Sequence, residues 1–422
     1  MDESLPESET GPAAPRGALR IIFFIVFMDL LGFGIIIPLM PRYIPDFQHH
    51  AKGVTMLFSI YSICQFIGAP ILGLMSDRFG RRPVLVLSQL GSVVGYVLLG
   101  VATDWGRYTL PLIYLSRVID GFTGGNISTA QAYVSDVTSG KDRAKGMGMI
   151  GAAFGIGFTA GPAIGGVLGQ YHVSWPAYLA GLMSLGAAIQ TWRLLPETRH
   201  DQPVEAEVWL HPSRFVPILR NPIMAQFLAI GFCTMAGFVM MESTMVLFLG
   251  KIFGFKIAAT GWYFAFIGII IVIVQGRLIG PLTKRWGEWP LAIIGPLFVA
   301  LGMAGLTSAA FVPLLALLMT AGACNAIGRS LQTPTLTALV SRASDRREQG
   351  VVFGLYYGLS SLARVIGPVI AGFAYPFIRN TGQFIVAGVI AVGMALWTAA
   401  LRRSSGVEGS HAAEELTAPA EI

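Results

Sequence analysis

Long apolar runs separated by short polar segments dominate the chain. The run Leu291–Met319, for example, contains no ionisable residue. A helix that crosses a bilayer needs about 20 predominantly apolar residues, whereas a run of about 10–14 is more typical of a buried helix in a soluble protein. The pattern predicts twelve membrane-spanning helices, at residues 20–40, 54–75, 84–103, 109–135, 145–169, 175–195, 222–249, 258–280, 290–310, 312–339, 350–375 and 381–401. The predicted fold class is therefore all-α integral membrane protein.

Composition strengthens this interpretation. Apolar residues make up 54% of the chain and charged residues only 12%, about half the charged fraction of a typical soluble domain. No nucleophile–base or metal constellation stands out, so we expect neither an enzyme nor a bound cofactor or metal. Cys64, Cys233 and Cys324 lie singly inside apolar runs, a pattern that predicts no disulfide framework.

The distribution of positive charge predicts the orientation. The net charge is +6, but the basic residues form short clusters between apolar runs, which does not indicate nucleic-acid binding. With both termini in the cytoplasm, 19 of the 29 Lys and Arg residues fall in inner segments and 6 in outer loops. Basic residues stay on the cytoplasmic side during insertion. We therefore expect a multi-pass protein of the plasma (inner) membrane, surrounded by lipid bilayer, with both termini cytoplasmic.

Two landmarks recur at a nearly constant offset. The segment Gly73–Gly80 follows the second predicted span, and Gly280–Gly287 follows the eighth, 207 residues later. The dipeptide Gly161-Pro162 recurs as Gly367-Pro368, 206 residues later. The offset predicts two six-helix bundles, residues 19–195 and 222–402, joined by a cytoplasmic linker at 196–221. Residues 1–18 and 403–422 are expected to be disordered tails. Repeats of this kind enclose a central site about which the bundles rock.

The loop after the second span has a recognisable chemistry. Its glycines permit close approach and a tight turn, and Asp77 can accept a backbone N–H at a helix start or pair with an arginine. Such contacts can hold in one conformation and break in another. We interpret the segment as a conformational latch formed by Gly73, Asp77, Arg78, Gly80 and Arg81. The alternative is an ordinary cluster of cytoplasmic charges.

Glycines also mark one face of the fifth span. Residues four apart share a helix face, where glycines let two backbones nearly touch. Pro162 removes a helix hydrogen bond and permits a bend. We interpret this face as a seam that seals and flexes between the halves, formed by Gly157, Gly161, Pro162, Gly165 and Gly166. Generic tight packing is the alternative.

A few ionisable residues lie inside the predicted spans. A charge at mid-membrane costs about 2.5–3.5 kcal/mol on insertion scales, so such residues are rarely idle. Asp29 lies deep in the first span, and Glu242 is the only acid within a span of the second half. Arg117 and Asp120 are three residues apart in the fourth span and can neutralise each other. These four residues are the candidates for proton coupling.

Structural roles remain possible for each of them. Neighbouring donors could satisfy Asp29, and Arg117 with Asp120 could be a purely structural ion pair. Glu242 could instead pair with one of the arginines predicted within spans: Arg277, Arg329 or Arg364. Polar residues that could line a substrate cavity are Gln65, Asn126, Gln131 and Arg329.

Together these motifs resemble the major facilitator superfamily, and within it the twelve-span drug/H+ antiporters of the tetracycline-resistance type. The similar segments are the latch loop, Asp29–Pro41 in the first span, Arg117–Gly121 in the fourth, and the glycine–proline face of the fifth. The resemblance implies a monomeric, proton-coupled antiporter that exports a small amphipathic or lipophilic compound. A proton-independent facilitator, or an exporter of a physiological metabolite or lipid, is the alternative.

The sequence departs from that pattern at informative positions. Tetracycline exporters of this type carry further acids in spans three and nine, where this chain has Gly95 and, near the second position, Val299. A metal–tetracycline substrate needs those charges, so the resemblance does not extend to that drug. In the second copy of the latch loop, Lys284 stands in the place of Asp77, and Glu288 in the place of Arg81.

Overall fold

A computed structural model describes residues 17–43, 51–105, 109–138, 140–198, 212–344 and 349–404. Within these ranges the regular secondary structure is entirely helical. The α-helices are α1 (Ala18–Ile36), α2 (Ala51–Phe79), α3 (Arg81–Trp105), α4 (Thr109–Thr123), α5 (Ile127–Val137), α6 (Gly140–Gly169), α7 (Trp175–Leu194), α8 (Pro212–Arg220), α9 (Pro222–Phe253), α10 (Ile257–Ile273), α11 (Ile279–Trp286), α12 (Glu288–Ala309), α13 (Leu315–Ala343), α14 (Gln349–Ala374) and α15 (Gly382–Ser404).

The all-helical membrane fold is confirmed. Every predicted span coincides with helix, and eight helical stretches of the described chain are long and apolar enough to cross a bilayer. They contain α1, α2, α3, α9, α10 with α11, α12, α14 and α15. The helices at the other four predicted spans are α4 with α5, α6, α7 and α13. The count of twelve spans stays a prediction.

Two of the predicted spans are interrupted. A 3-10 turn at Gly124–Asn126 separates α4 from α5, where two adjacent glycines weaken the helix. A π-helical turn at Val274–Leu278 separates α10 from α11. Within a membrane, backbone groups released by such breaks need other partners. One such partner is Gln65, whose Nε2 donates to the carbonyl of Gly124 at 3.0 Å.

The described residues fall into two compact units. The first unit comprises the described residues within Met1–Leu39 and Ile63–Glu207. The second unit comprises the described residues within Met40–Ser62 and Val208–Ile422. The beginning of α2 therefore packs in the second unit, where Ser59 Oγ donates to the carbonyl of Val365 at 3.4 Å. The sequence-based division into bundles at 19–195 and 222–402 stays a prediction. Helix α8 lies in the predicted linker; residues 199–211 of that linker, and most of both predicted tails, lie outside the described ranges.

Each unit has its own packed interior. In the first unit, α1 packs against α6 and α7, and α3 packs against α4 and α7. In the second, α12 packs against α13 and α15, and α9 packs against α14 and α15. Phe248 of α9 and Phe384 of α15 meet edge to face, with ring centroids 4.9 Å apart. These contacts fix the helix rotations that place the polar residues described below.

Candidate functional site

The glycine face of α6 packs against α1 within the first unit. A Cβ added at Gly161 would lie 2.8 Å from the Cα of Gly34, and one at Gly157 would lie 2.9 Å from the Cβ of Leu30. A Cβ at Gly165 would collide with the carbonyl oxygen of Ile35. Pro162 and Gly166 continue this buried surface. The contacts correspond to the tight-packing alternative, and a role between the halves stays a prediction.

We expect Gly161→Ala to destabilise the protein by about 1–3 kcal/mol, because the added methyl group meets backbone atoms that cannot rotate away. The measurement is thermal unfolding of the purified protein in detergent. Gly186→Ala in α7 is the matched control, because a Cβ there has no heavy atom within 4 Å, and alanine favours helix over glycine. Equal melting temperatures for the two variants would contradict the packing described here.

The carboxyl group of Asp29 lies where α1 meets the break between α4 and α5. Asn126 Nδ2 donates a short hydrogen bond to Asp29 Oδ2. The other oxygen, Oδ1, is buried and accepts no hydrogen bond from the described residues. The structure thus brings Asp29 and Asn126 together, with Gln65 bound to the same helix break. Gln131 lies half-buried further along α5.

Arg117 and Asp120 form the predicted ion pair. Arg117 Nη1 lies 3.2 Å from Asp120 Oδ2, and their side chains are 1% and 2% exposed. The guanidinium also lies 5.7 Å from the centre of the Tyr96 ring. The charge of Asp120 acts in turn on Asp29. Two acids and one arginine therefore form a single electrostatic cluster.

The structure explains one departure from the tetracycline-exporter pattern. Gly95 packs directly on this cluster, and a Cβ there would lie 2.7 Å from the Cβ of Asp120. A carboxylate at position 95 therefore has no room, and it would also face a second carboxylate.

The latch loop is organised around Arg81. The side chain is 6% exposed, and it reaches Asp77 at 2.7 Å and Asp136 at 3.0 Å. Arg81 Nη1 also donates to Ser76 Oγ at 2.6 Å. Of the two roles predicted for Asp77, the structure shows pairing with an arginine.

A residue that the sequence did not single out caps the start of α3. The carboxylate of Glu197 accepts the backbone N–H groups of Arg81 at 2.9 Å and Arg82 at 3.1 Å. Gly80 turns between α2 and α3 with a φ of +99°, and a Cβ there would lie 2.5 Å from Glu197 Oε2. Glycine is therefore required at this position.

Two members of the predicted latch stand apart from this cluster. A Cβ at Gly73 would meet no heavy atom within 4 Å, so the close approach expected there is absent from the described structure. Arg78 is exposed, with its guanidinium 5.3 Å from the centre of the Phe79 ring.

The second half repeats the Arg81–Asp136 pair with its charges reversed. At the start of α12, Glu288 lies 2.5 Å from Arg342 at the end of α13. Glu288 follows Arg81 by 207 residues, and Arg342 follows Asp136 by 206. The sequence pattern indicated that Glu288 takes the place of Arg81. It did not indicate that Arg342 takes the place of Asp136, although Arg342 lies at nearly the same offset.

The second unit contains a pocket between α9, α12, α13 and α15, with about 310 Å³ of empty space that includes space open to solvent. The guanidinium of Arg329 lies 3.3 Å from the centre of the Phe238 ring. The lining residues are Thr234, Gly237, Phe238, Val299, Met303, Asn325, Arg329, Gln332, Ala387 and Met394. Among them the sequence predicted only Arg329 as a cavity residue; the polar residues Asn325 and Gln332, on the same helix, were missed.

Glu242 is buried in the same unit, and the charges of Arg364 and Arg329 act on it. Arg277, the third arginine considered as a partner, is exposed in the π-helical turn. The structure therefore narrows the electrostatic partners of Glu242 to two. The proton-coupling role of Glu242 stays a prediction.

These features define a class: a polytopic, all-helical membrane protein that carries a few ionisable groups in its interior. The chain matches the Major Facilitator Superfamily over residues 22–316 and 278–421. It belongs to that family and is a multi-pass membrane transporter. The family match points away from an enzyme.

Known proteins similar to the chain are also transport or resistance proteins. The class C tetracycline resistance protein of Escherichia coli is 31% identical over 87% of this chain and 91% of its own length. Multidrug resistance protein 1 of Bacillus subtilis (strain 168) is 28% identical over 90% and 95%. A crystal structure of the human organic anion transporter MFSD10 superposes with a TM-score of 0.69 at 23% identity, covering 91% of this chain and 99% of that one. The last comparison shows the fold alone.

Proposed function

We propose that the protein is a proton-coupled antiporter that exports small amphipathic or lipophilic compounds from the cytoplasm. The export role is supported by the relatives, which are named for tetracycline and multidrug resistance. In this proposal twelve helices form two six-helix bundles in the plasma membrane, with both termini cytoplasmic. A monomer alternates access to a midplane site.

The observation that carries the proposal is the cluster of Asp29, Asp120 and Arg117. Asp120 already engages the arginine at 3.2 Å, which leaves Asp29 without a counter-charge in contact. Its Oδ1 is buried and accepts no hydrogen bond from the described residues. Uptake of one proton makes the cluster neutral. Asp29 is therefore the proposed proton carrier, Arg117 fixes the local potential, and Glu242 is a second candidate carrier.

Competition between a proton and the substrate at such an acid is sufficient to couple proton entry to substrate export. Protonation weakens substrate binding, and deprotonation restores it, so one proton enters for each molecule exported. A proton that moves inward through a potential of 100 mV releases about 2.3 kcal/mol. This exceeds the roughly 1.4 kcal/mol that corresponds to a tenfold concentration ratio.

The other clusters take conformational roles in this proposal. The Asp77–Arg81–Asp136 contacts act as a latch that forms in one state and breaks in another. The glycine face of α6 lets α1 and α6 shift against each other without side chains in the way. Both assignments follow from buried charges or close backbones at places where helices meet.

The proposal is tested with purified protein in vesicles that have an acidic interior and contain a pH-sensitive dye. A compound is first selected by its ability to raise the melting temperature of the protein. We expect its addition to release protons from the vesicles, and a protonophore to abolish its accumulation. Empty vesicles give the leak rate. Movement of the compound at a rate independent of the gradient, with no proton release, would instead support the facilitator alternative.

A further inference from the structure

We propose that the pocket of the second unit binds the anionic group of an amphipathic substrate, a carboxylate or a group of similar charge, through Arg329. This inference rests on the proposed export function and gives it a substrate class. It follows from the charge of the pocket, its free hydrogen-bond donors and its apolar walls.

Arg329 is the charged group of the pocket. Arg329 lies partly buried on α13, and none of the described carboxylates forms an ion pair with it. A buried cation without a counter-ion in contact is costly. The Phe238 ring, 3.3 Å away, compensates in part, because the face of an aromatic ring attracts a cation. A carboxylate would compensate fully, since a guanidinium offers it two parallel hydrogen bonds.

A second hydrogen-bond donor of the pocket lies on the same helix. Asn325 is four residues before Arg329 and shares its helix face. Its Nδ2 is buried and donates to no acceptor among the described residues. Glycines of α12 pack against this helix: a Cβ added at Gly302 would lie 2.9 Å from the Cβ of Asn325. The amide is therefore held in place on the helix face that carries Arg329, and it lines the same pocket as a second donor for an anion.

The walls of the pocket are largely apolar. Phe238, Val299, Met303, Ala387 and Met394 supply an apolar lining, and no acid is among the lining residues. Val299 stands near the position where tetracycline exporters of similar pattern carry an acid. This combination suits an apolar body with a negative group and disfavours a cation.

The groups that act electrostatically on Arg329 are Glu242, Arg364 and Tyr356. When Glu242 is ionised, its charge opposes an incoming anion. Neutral Glu242 therefore favours anion binding, so an anion and a proton on Glu242 would bind cooperatively. Antiport requires them to compete. If the substrate is an anion, proton exchange therefore rests on Asp29 and not on Glu242, and protonation of Asp29 must weaken binding by changing the conformation of the protein, because its charge alone would act in the opposite sense.

The test is direct binding to the purified protein in detergent. The probes are a panel of naphthyl and biphenyl carboxylates, each with its primary amide and the corresponding amine. We expect Arg329→Gln to weaken carboxylate binding about tenfold or more, the usual effect of losing hydrogen bonds to a charged group. Amide binding should change by less than about twofold. Arg329→Lys should retain part of the carboxylate affinity, and Glu242→Gln should raise it severalfold.

Matched variants separate a binding role from a structural one. Arg277→Gln removes an exposed arginine of the same unit and should have no effect on any probe. Gly237→Leu should abolish binding of carboxylates and amides alike, because a Cβ at Gly237 has Ala387 as its nearest neighbour, at 3.9 Å, so the larger side chain projects into the pocket.

Several results would overturn the inference. Arg329→Gln could leave carboxylate binding unchanged or weaken carboxylates and amides equally. The amines could bind in preference, or wild-type protein could bind none of the carboxylates. The binding measurement needs no proton gradient. Carboxylate binding through Arg329 would therefore support this inference even if transport proved not to be coupled to protons. Proton-coupled export of neutral or cationic compounds only would contradict this inference and preserve the proposed function.

Discussion

Asp29→Asn is expected to abolish proton-driven accumulation of substrate and to lower substrate affinity to that of the protonated wild-type protein. The amide resembles the neutral carboxyl group in shape but cannot exchange a proton, so the carrier loses its coupling step. Asn126 can still contact the side chain at this position through its amide group. In vesicles with an acidic interior, we expect accumulation to fall at least tenfold and substrate-dependent proton release to vanish.

The pH dependence of substrate binding tests the same mechanism. Because protonation of Asp29 competes with substrate in this mechanism, binding to the wild-type protein should weaken as pH falls. The Asp29→Asn variant should bind with an affinity that no longer depends on pH in that range. Asp104→Asn is the matched control: Asp104 belongs to the same unit, is exposed, and accepts a hydrogen bond from the Tyr178 hydroxyl at 2.8 Å. Undiminished proton release by Asp29→Asn would exclude Asp29 as the carrier.

Arg81→Glu is expected to have the second large effect, a loss of folded protein and of transport. The substitution places a third carboxylate against Asp77 and Asp136, which the arginine now holds at 2.7 and 3.0 Å. Removing one partner of a buried ion pair alone costs about 3–5 kcal/mol. The measurements are the yield of monodisperse protein, its melting temperature and transport in vesicles.

The second half of the chain indicates which further substitutions should compensate for Arg81→Glu. At the corresponding positions it carries Lys284, Glu288 and Arg342, and the last two form an ion pair at 2.5 Å. The triple variant Asp77→Lys, Arg81→Glu, Asp136→Arg copies that set into the first unit. It should recover a large part of the folded yield that the single variant loses. Recovery of transport as well would show that the latch needs complementary charges and not a particular sign.

The reversed pair also supplies the control. The Arg342 side chain is 70% exposed, and exposed ion pairs contribute about 0–1 kcal/mol. Glu288→Arg should therefore lower the melting temperature much less than Arg81→Glu. A triple variant no more stable than Arg81→Glu, or equal damage from Glu288→Arg, would refute this account of the two pairs.

The charge of the substrate determines how much energy the membrane potential contributes to transport. An anion that leaves in exchange for an entering proton moves two elementary charges in the favourable direction, about 4.6 kcal/mol per 100 mV. A neutral substrate would move one charge, and a monovalent cation none. Accumulation in vesicles at imposed potentials therefore distinguishes the three classes of substrate by the charge that each one moves.

Much of the fold follows from the sequence alone. A helix satisfies its backbone hydrogen bonds within its own segment, which a bilayer demands, so length and hydropathy predict helices at every proposed span. The offset of 206 to 207 residues predicts the repeat, because similar segments can be recognised from the residues alone. The spacing of Arg117 and Asp120 predicts their ion pair, because residues three apart share a helix face.

Only the tertiary structure decides which distant residues meet. Asn126 reaches Asp29 across 97 positions, and Glu197 caps Arg81 across 116. The pocket around Arg329 draws on four helices. Spans that are apolar on every side carry no stripe that indicates their rotation. Close glycine contacts between neighbouring helices fix that rotation, and with it which polar groups face one another.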